Sequence, residues 1–94
     1  MNNFCVYILT CSDKSYYVGH TDNIEVRIHA HRNRLYPCYT NTRLPIEVVY
    51  IQLFSTRDEA FRAERQIKKW SRKKKEALIA QNWSALSYFS KKIF

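Results

Sequence analysis

Glycine is almost missing from this chain of 94 residues: Gly19 is the only one. A sole glycine ordinarily serves a turn that needs positive φ. This one ends an apolar stretch, where glycine marks close backbone approach by a ligand, a bulge or a strand-to-helix corner. Proline is nearly as scarce, with Pro37 and Pro45 both inside residues 32–45. The three cysteines, Cys5, Cys11 and Cys38, form no CxxC pair. Residues 1–11 carry no basic segment or small-residue cleavage site, so these cysteines read as reduced thiols of a cytoplasmic protein. Zinc is disfavoured, because neither they nor His20, His29 and His31 fall at customary ligand spacings. No apolar run approaches the roughly 20 residues of a membrane span. Acidic residues are few: 8 Asp and Glu face 16 Lys and Arg, a formal charge of +8. That excess on so short a chain favours polyanionic partners, nucleic acid before an anionic membrane.

Apolar residues still make up 46%, enough for a folded core. With no repeat, low-complexity segment or obligate protein partner evident, residues 1–94 read as one domain, with a core at about 4–80 and an aromatic, basic tail at 82–94. The organising stretch is residues 5–31. Residues 4–9 and 16–18 are short apolar runs rich in β-formers, separated by the polar segment 11–15. They predict an antiparallel hairpin. An odd-length loop puts Tyr7 and Tyr17 on one side, either as core aromatics with wet tips or as converging hydroxyls.

Asp22 is a helix N-cap candidate, with Glu25 completing a loose capping box. Ile24, Ile28 and Leu35 are the expected buried stripe of the first helix. Arg27 and His31 stack one turn apart beside it, either as a surface ion-pairing arginine and a satisfied histidine or as chemical groups. Residues 32–45 read as a basic loop with Arg32, Arg34, Arg43, Tyr36 and Tyr39, suited to phosphates and bases or simply solvated. Residues 46–54 are the strongest strand, expected at the centre of the sheet and covered on both faces. Thr56 to Glu59 is a capping box for a helix to about Trp70, with Ala60, Ala63, Ile67 and Trp70 on its apolar side.

Glu64 falls inside that apolar side, about 40° from Ala60 and 60° from Ile67 on a helical wheel. A sheltered carboxylate needs a partner, such as Arg57 or Lys68, or a metal. Ser71 caps a third helix to about Gln81. Its first turn holds Arg72, Lys73, Lys74 and Lys75, cations that oppose the macrodipole and suit phosphate, or form a solvated face. Trp83, Leu86, Phe89 and Ile93 are spaced for a short closing helix.

Together these elements resemble the GIY-YIG nuclease family. Cys5-Val6-Tyr7 is similar to its first motif and Tyr17-Val18-Gly19 to its second, about ten residues on. Arg27 and His31 match the R-x-x-x-H of its first helix, and Glu64 its metal-binding glutamate. Cys5 replaces the usual glycine, His20 stands where many members carry lysine, and the family's late asparagine has no clear counterpart. The resemblance implies an α+β fold, a three-stranded antiparallel sheet flanked by helices in the order ββαβαα, which is also the order read from the residues. It implies a DNA endonuclease with one Mg²⁺ or Mn²⁺ on Glu64. Arg27 would then stabilise transition-state charge, Tyr7 act as general base, Tyr17 position water or phosphate, and His31 relay or orient. Nucleic acid would be held by Arg32, Arg34, Arg43, Lys68, Arg72, Lys73, Lys74 and Lys75. Two other readings stand beside this one: a nucleic-acid-binding module lacking competent catalysis, and a protein-interaction domain using the aromatic tail.

Overall fold

A computed structural model describes residues 4–35 and 37–81. Tyr36 and the expected closing helix of the tail lie outside the described residues. The element order is β1 (Phe4–Thr10), β2 (Tyr16–Thr21), α1 (Ile24–Arg32), a 3-10 turn (Tyr39–Thr42), β3 (Glu47–Phe54), α2 (Arg57–Lys68) and α3 (Arg72–Ile79). This is the expected α+β arrangement, ββαβαα.

The sheet is antiparallel with strand order β2-β1-β3. The centre therefore belongs to β1, and the expectation that residues 46–54 would be central fails. Cys5 to Leu9 are all buried, whereas no residue of β3 is, and Ile51 and Leu53 are 47% and 63% exposed. Apolar content alone does not separate a central strand from an edge strand. Glu47 and Gln52 interrupt the β3 run, while residues 5–9 contain no charge. The β1–β3 register also shifts between Ile8 and Leu9.

Alternation along β1 splits the core in two. Val6, Ile8 and Val18 pack with Ala60 and Ile67 of α2 and Leu78 of α3. Tyr7, Leu9 and Cys11 pack on the other face with Ile28 of α1 and Ile46. The sheet is thus a partition between α2 and α3 on one side and α1 on the other.

The helix starts follow from capping chemistry. Asn23, not Asp22, caps α1: its side chain accepts from the Val26 N–H at 3.2 Å. Thr21 Oγ1 accepts the Asn23 N–H at 3.1 Å and fixes that choice, and Asp22 instead pairs with Arg57 at 3.1 Å. Helix α1 ends before Leu35, which is 62% exposed and drops out of the expected stripe. Arg34 takes a φ of 52°, and the Leu35 N–H reaches the Ala30 carbonyl at 3.1 Å, a left-handed C-terminal cap. Thr56 caps α2 and Ser71 caps α3 as expected, accepting from the N–H groups of Glu59 and Lys74. Among the described residues no helix is long and apolar enough to cross a membrane.

This topology sets an order of protection. In amide hydrogen exchange, β1 should be the slowest strand, because both its edges are paired, and alternate β3 amides should exchange much faster. Equal protection of β1 and β3 would contradict the strand order.

Candidate active site

The hairpin registers Tyr7 opposite Gly19 and Leu9 opposite Tyr17. Tyr7 and Tyr17 therefore share a face as diagonal neighbours, with ring centroids 6.2 Å apart. The five-residue connection 11–15 has the odd length this requires. Tyr7 is completely buried. Its hydroxyl lies 3.0 Å from His31 Nε2, and His31 Nδ1 lies 2.9 Å from Thr40 Oγ1. His31 and Thr40 are buried as deeply, at 1% and 0% exposure. A phenol can donate to a bare imidazole nitrogen, which leaves the other nitrogen to donate to Thr40. The chain Tyr7 to His31 to Thr40 joins β1, α1 and the 3-10 turn.

Two further rings and a thiol close around His31. Tyr17 meets it edge-on at 5.0 Å, and Tyr39 stacks on Tyr17 at 6.4 Å. Cys38 Sγ is 3.7 Å from His31 Nδ1. Burial pushes the Cys38 thiol up, but hydrogen bonds from Thr40, Tyr17 and Tyr39 outweigh it and leave the thiol below its ordinary value. Burial pushes His31 down, and the Arg27 charge one turn earlier adds to the effect. Arg27 is half-buried.

Gly19 is explained by Tyr7. A Cβ on Gly19 would stand 2.5 Å from Tyr7 Oη, 2.6 Å from its Cζ and 3.1 Å from Tyr17 Cε1. Where the sequence suggests a ligand, a bulge or a corner, the group that closely approaches Gly19 is a tyrosine ring of the protein itself.

Glu64 lies on the other face of the sheet. Its side chain is 12% exposed, and Oε1 sits 3.3 Å from His20 Nδ1 and 3.7 Å from Lys68 Nζ. His20 follows Gly19 directly in β2, so the residues that lie against Tyr7 and Glu64 are consecutive in that strand. Arg57, an alternative partner for Glu64, is engaged by Asp22.

The basic residues divide. Arg32 and Lys73 are exposed. Arg34 donates to the Asn41 carbonyl at 2.7 Å, and Lys68 is drawn to Glu64. Arg43 is a structural clamp: it donates to Asp13 at 3.1 Å and the Tyr39 carbonyl at 2.8 Å, and covers the Tyr39 ring at 3.8 Å. Arg72 faces Glu76 at 3.7 Å and the Tyr16 ring at 4.4 Å. Lys74 departs most from expectation: it is 2% exposed, with its ammonium 4.0 Å above the Trp70 ring. Lys75 is half-buried, and burial, then the neighbouring Arg72 charge, lowers its pKa. The run 72–75 is therefore not an open row of four cations. Thr40 and Cys38 were not foreseen, because nothing in a loop sequence says which hydroxyl or thiol folds back onto a helix.

The GIY-YIG catalytic domain model matches residues 3–77. The chain belongs to the GIY-YIG family. Its relatives are UPF0213 proteins. One from Bacillus licheniformis is 44% identical over 80 residues, covering 85% of this chain and 82% of the relative. The solution NMR structure of the UPF0213 protein BH0048 from Bacillus halodurans is 39% identical, with 84% of each chain covered and a TM-score of 0.56. That of EF2693 from E. faecalis is 32% identical, with 86% of each covered and a TM-score of 0.61. The GIY-YIG assignment places this chain in a nuclease family.

Two outcomes follow for this GIY-YIG domain. Gly19→Ala overpacks a site with no slack and should lower stability by about 1–3 kcal/mol, read by thermal or denaturant unfolding. A variant as stable as the parent would mean that Tyr7 does not lie against β2. His31 is held below its ordinary value, so the unfolded chain takes up the proton first as pH falls. The stability His31 contributes is complete above about pH 6.5 and is lost below it. The melting temperature should drop between about pH 7 and 5, and drop less in His31→Gln. Equal slopes would remove His31 from the account.

Proposed function

We propose that this chain is a divalent-metal-dependent endonuclease that hydrolyses DNA phosphodiester bonds. The observation that carries the reading is the Tyr7–His31–Thr40 hydrogen-bond chain beside Tyr17 and Arg27, in a chain of a nuclease family. The donor set near Glu64 fits a divalent ion. A sheltered carboxylate oxygen stands beside His20 Nδ1, which is buried and has no hydrogen-bond partner. Glu64 would hold Mg²⁺ or Mn²⁺, which when bound supplies Lewis-acid stabilisation of phosphate charge.

The protein's own groups would do the rest. Tyr7 is the general base of this reading. Its ordinary pKa of about 10 lies roughly three units from neutrality, about 4 kcal/mol. Its hydrogen bond to His31 Nε2 orients the phenol and gives its proton an acceptor while Tyr7 receives one from the attacking water, although burial and Arg27 weaken that acceptor. Thr40 holds the opposite nitrogen and thereby the tautomer. Arg27, half-buried, would supply a guanidinium for charge developing on phosphate, and Tyr17, less buried than Tyr7, would position water or phosphate. The exposed cations Arg32, Arg72 and Lys73 would steer the DNA backbone.

The complete burial of Tyr7 favours a second reading, a nucleic-acid-binding module on the same scaffold that does not turn over. A cleavage panel separates the two: single-stranded, duplex, nicked, flap and junction DNA at low salt, with Mg²⁺ or Mn²⁺. The nuclease reading expects metal-dependent cutting that Glu64→Gln abolishes and Arg27→Ala lowers by about 100- to 1000-fold, while binding persists. Binding that weakens steeply with salt, with no cutting of any substrate, would establish the module instead. Cutting retained by both variants would overturn the site.

A further inference from the structure

His20 performs no step of the mechanism above, although its Nδ1 stands beside Glu64. It sits opposite Val6 on the face of β2 that packs against α2, and its ring meets Phe61 edge-on at 5.5 Å. Its side chain is 21% exposed, yet Nδ1 itself is buried and makes no hydrogen bond. A buried nitrogen normally finds a partner, and leaving it without one costs about 1–3 kcal/mol. The nearest acceptor, Glu64 Oε1, is within range at 3.3 Å but falls outside hydrogen-bonding angles. Oε1 is therefore beside the axis along which Nδ1 directs its lone pair or proton, not on it.

That offset has a simple geometric meaning. Two donor atoms bound at about 2.1 Å to one ion, and subtending 90–110° there, stand about 3.0–3.4 Å apart. The Nδ1–Oε1 separation of 3.3 Å falls in this range. The same Oε1 also faces a cation, the half-exposed Lys68 ammonium at 3.7 Å, on a side chain free to swing toward solvent. Among the described residues no group of three or more His, Cys, Asp or Glu side chains could hold a metal, so the remaining positions of an ion would fall to water or phosphate oxygens.

We propose that His20 Nδ1 is a second protein ligand, beside Glu64 Oε1, of the divalent ion of the preceding reading, and that it tilts the site from Mg²⁺ toward nitrogen-accepting transition ions. The inference rests on Glu64 being the metal-binding carboxylate. An oxygen-only site is suited to Mg²⁺, whereas an imidazole nitrogen adds affinity for Co²⁺ or Zn²⁺ and little for Mg²⁺. The backbone that gives up a side chain at Gly19 for Tyr7 thus presents its next side chain, on the opposite face, to the ion.

The test is direct metal binding by the full chain, with DNA absent. Co²⁺ and Mg²⁺ are titrated calorimetrically into the parent, His20→Leu and Glu64→Gln, each checked for folding by circular dichroism. Leucine keeps an apolar contact for Phe61. His20→Leu should weaken Co²⁺ binding by about tenfold and change Mg²⁺ binding by less than about twofold. Added Zn²⁺ should shift the Nδ1 resonance of His20 in an imidazole ¹⁵N spectrum and leave that of the exposed His29 in place. Co²⁺ binding unchanged in His20→Leu, but lost in Glu64→Gln, overturns the role of His20 and leaves the carboxylate site standing. Affinities unchanged in Glu64→Gln, or no saturable binding of either ion by the parent, overturn both.

Discussion

The hydrogen bond between Tyr7 and His31 is the constraint around which this small domain is arranged. Two polar side chains sit in the interior at essentially zero exposure, and burial of that kind is tolerable only when every donor and acceptor is matched. Each end of the contact then dictates a neighbour. His31 needs a partner for its second nitrogen, and Thr40 arrives from a 3-10 turn that Arg43 clamps to the hairpin through Asp13. Tyr7 needs room for its ring over β2, and only a residue without a side chain gives it. The left-handed cap at Arg34 turns the chain after α1 so that this turn can come back over His31.

A partition between two chemistries results. The face carrying α1 holds two phenols, an imidazole and a guanidinium. The face carrying α2 holds a carboxylate and an imidazole nitrogen, which suit a cation. Strand β2 belongs to both, and Gly19 and His20 are its consecutive contributions to the two sides. A sheet one layer thick keeps the two sets of side chains in separate packing environments while one strand contributes to both.

Much of this was legible before the structure, for identifiable reasons. Alternation and loop parity placed Tyr7 and Tyr17 together, and helical spacing put Glu64 among apolar neighbours and Arg27 one turn from His31. What was not legible depends on contacts distant in the chain. The apolar run of β3 suggests a central strand, but hydrophobic content reports neither sheet order nor, on this edge strand, burial. The run Arg72 to Lys75 was read as an open charged turn, but periodicity does not reveal that Trp70 offers Lys74 a ring face to lie against. Asp22 and Asn23 are equally good caps in isolation, and a hydrogen bond from Asn23 to Thr21 decides between them.

The turns tell a different story from the interior. With the chain's one glycine committed beneath Tyr7, the left-handed bends among the described residues fall to Lys14, Arg34 and Gln81, at φ values of 70°, 52° and 56°. Side chains in that conformation carry a penalty of about 1–2 kcal/mol each, a large amount for a domain of this size. Adaptation to heat therefore has a route open at the periphery, through residues that bend more easily, without disturbing the buried contacts. Thermal tolerance can thus be tuned at these bends while the packing of Tyr7, Gly19 and His31 is left untouched, on separate parts of the same short chain.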